Sequence, residues 1–202
     1  MKLVFVRHGE SEANLLREFS NRGLKHGLTP TGRQQAARLA RTLHPILASK
    51  IYASPLLRAV QTAEILSNKL DIPFEITTAL REYDCGILEG RSDEKSWQLY
   101  EVVFEAWLNG DWTQRIEQGE SFVDIQQRFV PFIKRLVRTY GESGKSIVLV
   151  GHGGLYRCML PLVLTNIDFD FVRQHSIPHT ASIIAKTKPE GLVCSNWGDT
   201  SL

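Results

Sequence analysis

The 202-residue sequence predicts an α/β fold, a three-layer sandwich whose sheet is mainly parallel with an antiparallel edge. Short β-branched runs at Lys2 to Val6, Ile51 to Ala53, Phe74 to Thr77 and Ser146 to Val150 alternate with longer segments of helical period. That alternation marks βαβ units, and it implies a parallel sheet covered on both faces. Two last runs, Ser182 to Thr187 and Leu192 to Asn196, flank Lys188-Pro-Glu-Gly191 and read as an antiparallel hairpin at the sheet edge. The length fits one domain over residues 1–202, with a helical lid or insertion around 91–120.

Helix starts follow from capping chemistry. Thr31-Gly-Arg-Gln34 and Ser121-Phe-Val-Asp124 each place a hydroxyl where it accepts from a free amide, with a polar side chain three residues on. Ser54-Pro55 reads as a third start, serine as cap and proline at the first helical position, which puts Arg58 in the opening turn. From Ser121 to Tyr140, Phe122, Ile125, Phe129, Phe132, Ile133, Leu136 and Val137 form an apolar stripe, with a bend expected at Pro131. From Asp93 to Trp112, Trp97, Tyr100, Phe104, Trp107 and Leu108 share one face, which fits either core packing or a lid.

Composition excludes several classes. A net charge of +2 with scattered basic residues leaves no footprint for nucleic acid or for a polybasic membrane contact. Cys85, Cys158 and Cys194 are an odd number without close pairing, which suits reduced thiols and a cytoplasmic protein. The opening apolar run is too short for a signal-peptide core, and the run from Ile147 to Leu164 is broken by His152, Arg157 and glycines.

The chemistry concentrates at two strand ends. Arg7-His8-Gly9-Glu10 closes the first strand and Gly151-His152-Gly153-Gly154 closes the fourth, so both histidines stand in the crevice beyond the carboxyl ends of a parallel sheet. Arg7 and Arg58 reach the same crevice and can fork onto phosphate oxygens, and the glycines let backbone amides approach an anion. Two guanidiniums and two imidazoles around a tetrahedral phosphate would neutralise its equatorial oxygens, so this chemistry requires no metal and no cofactor.

Arg-His-Gly-Glu, then Ser-Pro-Leu-Leu-Arg-Ala-Val-Gln-Thr-Ala, Leu-Arg-Glu and Gly-His-Gly follow one another between Arg7 and Gly154. In this order they resemble the histidine phosphatase superfamily, the phosphoglycerate mutase-like proteins. The resemblance implies a phosphomonoester hydrolase with a phosphohistidine intermediate on His8. It also implies Glu82 as proton donor, and His152, Arg7, Arg58, Asn14, Ser20 and Gly153 as the phosphate pocket. The expected partner is a small phosphorylated metabolite. Family mutases are usually longer, so this length favours the phosphatase branch over a mutase, and a silent phospho-ligand binding module is the third alternative.

Other patterns carry less. Glu10 and Glu12 read as structural, because carboxylates facing a phosphate would repel it. Cys85 to Arg91 has the spacing of a thiolate phosphatase loop, but Glu89 would sit inside the anion cradle. Gly144-Lys145-Ser146 echoes a P-loop without its first glycine, and Pro178 separates His175 from His179 in a metal-like spacing that lacks further ligands.

Overall fold

The computed structural model describes residues 1–202. The central strands explain the layering. β1 (Lys2–Arg7) and β4 (Ser146–Gly151) pair in parallel with Arg7 opposite Gly151. Leu3, Phe5, Ile147 and Leu149 face one side of the sheet, and Val4, Val6, Val148 and Val150 the other, all of them fully buried. A strand buried on both faces must be apolar throughout, as these are.

β2 (Ala48–Ala53) pairs with β4 on its other side and β3 (Phe74–Ile76) with β2. β5 (Ser182–Lys188) runs antiparallel beside β1, followed by β6 (Gly191–Trp197) and the short β7 (Thr200–Ser201). The sheet order is β3-β2-β4-β1-β5-β6-β7, so the predicted mainly parallel sheet with an antiparallel edge is correct. β7 is an addition, and β2 starts three residues earlier than expected, across a bulge between Ala48 and Lys50.

Helices α2 (Pro30–Leu43) and α3 (Leu57–Leu70) cover the valine face with Leu39, Leu43, Ala59, Ala63 and Leu66. The opposite face is covered by α4 (Glu94–Leu108), α5 (Phe122–Tyr140) and α6 (Gly153–Met159). Two short helices escaped the sequence reading, α1 (Glu12–Leu16) and α7 (Phe169–Gln174); five or six residues carry too little period to be seen. No helix is long and apolar enough to cross a membrane.

The capping box of α5 is present: Asp124 N donates to Ser121 Oγ at 3.3 Å and Ser121 N to Asp124 Oδ2 at 2.9 Å. The helix runs unbroken through Pro131, which lies on its exposed side beside the exposed Gln127, whose carbonyl a proline cannot serve as donor. α2 starts two residues before the expected place. Thr29 is the cap, accepting from Gly32 N at 2.9 Å, and Pro30 takes the first helical position, which its fixed φ suits. A Cβ on Gly32 would sit 2.0 Å from the Glu10 carbonyl oxygen and one on Gly9 2.5 Å from the Gly32 oxygen, so this glycine pair lets α2 close onto the loop leaving β1.

Ser54-Pro55 does not start a helix. α3 begins at Leu57 after an extended Leu56, and the Ser54 hydroxyl turns to a histidine described below. Arg58 is nonetheless in the first turn of α3.

Candidate active site

Because β1 and β4 end in register, the residue after each strand enters one crevice. His8 N donates to the Gly151 carbonyl at 3.1 Å, and the rings of His8 and His152 are 5.0 Å apart. Both are buried, and a cavity of about 580 Å³ is lined by His8 but not by His152.

The tautomer of His8 follows from its partners. Arg58 Nε is a donor without acceptor capacity, and it lies 3.1 Å from His8 Nε2, so that nitrogen carries the lone pair. His8 Nδ1 then holds the proton and donates to the Gly9 carbonyl at 2.7 Å. Burial, reinforced by Arg58 and Arg7, keeps the imidazole pKa well below its ordinary 6.5. The side chain is thus a neutral imidazole whose unprotonated Nε2 accepts from Arg58 and becomes the nucleophile when that bond is given up.

Arg58 is itself held on three sides. Besides His8 it donates from Nη1 to the Ser20 carbonyl at 2.6 Å and from Nη2 to Asn21 Oδ1 at 3.2 Å. Burial lowers its pKa to about 10, so it keeps its charge at neutral pH. Arg7 donates from Nη1 to the Ile177 carbonyl at 2.7 Å and lies across the start of α6, where a Cβ on Gly153 would come within 3.3 Å of its Cδ and Nε. Arg7 Nε is buried with no partner.

His152 caps the N-terminal side of α6 from behind His8. Its Nε2 is 2.7 Å from Ser54 Oγ, while Nδ1 is buried without a partner. Its pKa is likewise well below 6.5, from burial first and then Arg58. Glu82 lines the cavity across from the arginines and accepts from Tyr83 N at 3.1 Å and from Gly154 N at 2.9 Å. Burial raises its pKa against the opposing pull of Arg58 and those amides. Desolvation is therefore what favours the protonated form a proton donor needs.

The remaining expected residues are all at the cavity, in unequal ways. Asn14 lines it while its Oδ1 accepts from Ser11 N at 3.0 Å and Ser11 Oγ at 2.8 Å. Ser20 contributes its carbonyl to Arg58, and Gly153 lines the cavity at the first position of α6. Glu10 and Glu12 serve the chain around residues 26–29: Glu10 Oε1 accepts from Thr29 Oγ1 at 2.7 Å and Glu12 Oε2 from Gly27 N at 3.2 Å. Burial pushes the Cys85 thiol up, which leaves no thiolate there. His175 stacks on Phe171 with centroids 3.9 Å apart, whereas His179 goes to Arg7, so the two do not form a shared metal site.

Four residues were missed as site components. His179 Nε2 is 3.1 Å from Arg7 Nη2, Asn21 holds Arg58, Ser54 holds His152, and Arg157 reaches the cavity wall over the Phe104 ring at 4.5 Å. Trp97, Tyr100 and Phe104 also line the cavity, so the aromatic face of α4 is both core and wall.

A family model described as histidine phosphatase superfamily (branch 1) matches residues 3–200. 6-Phosphofructo-2-kinase/fructose-2,6-bisphosphatase 4 of Rattus norvegicus is 32% identical over 164 residues, 80% of this chain and 32% of that protein. The chain thus spans about a third of the length of the curated relatives it matches. A mycobacterial glucosyl-3-phosphoglycerate phosphatase complexed with VO3 superposes at a TM-score of 0.84 with 25% identity, covering 98% of this chain and 99% of that one. Bacillus stearothermophilus YhfR superposes at 0.83 with 26% identity, over 99% and 98% of the two chains. With a sheet of this architecture and a match over nearly its whole length, this chain belongs to branch 1 of the histidine phosphatase superfamily.

Proposed function

We propose that the protein hydrolyses a phosphomonoester of a small metabolite, without a metal, through a phosphohistidine on His8. The observation that carries this reading is the lone pair on His8 Nε2, fixed by the Gly9 carbonyl behind it and lying in a cavity that holds two arginines. Arg7, Arg58 and His152 take the phosphoryl oxygens, Arg7 Nε being a buried donor without a partner and His152 Nδ1 likewise unpartnered. Asn14, Ser20 and Gly153 complete the pocket.

His8 Nε2 attacks phosphorus as the ester P–O bond breaks, and Glu82 gives its proton to the leaving oxygen. Water then attacks phosphorus while the Glu82 carboxylate takes its proton. The P–N bond breaks, inorganic phosphate departs, and His8 recovers its lone pair. A carboxyl whose pKa is raised by burial suits the first step.

A small substrate fits a cavity of about 580 Å³, and the similar mycobacterial protein is a glucosyl-3-phosphoglycerate phosphatase. We read residues 91–120 as a flap on a single histidine phosphatase domain, its aromatic face and Arg157 meeting the leaving group. Three buried unpaired thiols suit a cytoplasmic setting.

The test is turnover of p-nitrophenyl phosphate with chelator present, together with capture of acid-labile phosphate on the protein. His8→Asn should abolish both while the variant stays folded. Turnover by that variant, or a requirement for a metal, overturns the reading.

A further inference from the structure

The segment from Ile177 to Ala181 grips Arg7 by side chain and backbone together. Arg7 Nη1 donates to the Ile177 carbonyl at 2.7 Å and Nη2 lies 3.1 Å from His179 Nε2. Thr180 N donates to the Arg7 carbonyl at 3.0 Å, and Arg7 N to the Ala181 carbonyl at 3.2 Å. Thr180 holds a left-handed backbone with φ of 59°. A β-branched residue adopts that conformation only where its surroundings impose it, and such strain collects at functional sites. Here it follows directly on His179, whose Nε2 comes to 3.1 Å from Arg7 Nη2.

An arginine has no acceptor and stays charged, so the contact is a hydrogen bond only when His179 Nε2 carries a lone pair. His179 is therefore neutral with its proton on Nδ1. Burial, then the Arg7 charge, pushes its pKa down to about 4, which keeps that state at neutral pH. The imidazole does not line the cavity beside His8; it faces a second cavity shared with Arg38 and His175. Its ring centroid is 5.9 Å from that of His8, and its hydrogen bond into the site goes to Arg7.

We propose that His179 is a positioning residue for phosphoryl transfer: as a neutral acceptor it fixes the plane of the Arg7 guanidinium beside His8. This rests on the reading of Arg7 as a phosphate ligand. Held from Nη1 and Nη2, the guanidinium meets the phosphate already oriented, and its unpartnered Nε is presented in a fixed direction.

The test compares His179→Gln, whose Oε1 can reach the place of Nε2 and accept, with His179→Met, of similar volume but without a strong acceptor. Binding of inorganic phosphate by calorimetry and p-nitrophenyl phosphate kinetics are measured for both. The expectation for the Met variant is about tenfold weaker phosphate binding and about 10²-fold lower kcat/KM, while the Gln variant stays within about threefold of wild type. The inference is overturned when Met matches wild type, or when Gln is impaired as much as Met. Failure of the wild-type protein itself to bind phosphate overturns the functional reading first and this inference with it.

Discussion

Acid should unfold this protein through its two site histidines. His8 and His152 are 3% and 1% exposed with rings 5.0 Å apart, and Arg58 and Arg7 add their charge to the effect of burial. In the unfolded chain each histidine takes up a proton near its ordinary pKa of 6.5, whereas in the folded protein each stays neutral well below that. The folded pKa is the lower one. The stabilisation is therefore complete above the unfolded value and declines as the pH falls toward the folded value, since only the unfolded state binds protons in between.

For one histidine the loss is RT ln(1 + 10^(pKa − pH)), which is about 1.4 kcal/mol at pH 5.5 and about 0.1 kcal/mol at pH 7.5. The pair together removes about 2.7 kcal/mol across that interval, a large part of the ~5–15 kcal/mol by which domains are stable. Urea unfolding followed by tryptophan fluorescence at both pH values measures it. Carboxylates and His179 also titrate, so the decisive quantity is the difference between wild type and His152→Asn, which cannot take up that proton. The variant should lose about 1.4 kcal/mol less of its own stability between the two pH values. Parallel pH dependence of the two proteins would refute the claim that the fold holds His152 neutral.

Three further outcomes are expected. Glu82→Gln should lower kcat for an alkyl phosphate by about 10² to 10⁴-fold and for p-nitrophenyl phosphate much less, because nitrophenolate leaves without a proton; steady-state kinetics on both esters separates the two. The same carboxyl has a raised pKa, so activity on the alkyl ester should fall as the pH rises through it, and the Gln variant should lack that limb. Arg58→Lys gives up the fork that reaches His8, the Ser20 carbonyl and Asn21, and kcat/KM should drop about 10³-fold, again by steady-state kinetics. Ser54→Ala leaves the buried His152 ring without its hydrogen bond, and urea unfolding should show a loss of about 1–3 kcal/mol.

The parallel strands and the two histidines beyond them were legible because they are local facts: a continuous apolar run followed by a polar residue and glycine can be read within eight residues. Arg58 was legible too, although the cap assigned to its helix was wrong. The Ser54 hydroxyl does accept from the Leu56 amide at 3.3 Å, but its shorter contact, 2.7 Å, is to a buried imidazole 98 positions away, and the helix itself waits until Leu57. Asn21 and His179 gave no local signal for the same reason. Their roles exist only once chain segments 37 and 172 residues distant have delivered Arg58 and Arg7 to them.

Residue order alone determined the layered α/β class, the parallel core with its antiparallel hairpin, and the identity of the groups standing at the strand ends. Periodicity and strand-end position depend on the chain's nearest neighbours, and these carry over intact into the folded state. Tertiary structure alone decided which nitrogen of His8 holds the proton, that both imidazoles are neutral, and that Arg7 is clamped from the far end of the chain. Proton position and charge state answer to desolvation and to partners brought together by folding, and neither exists until the sheet has closed around them.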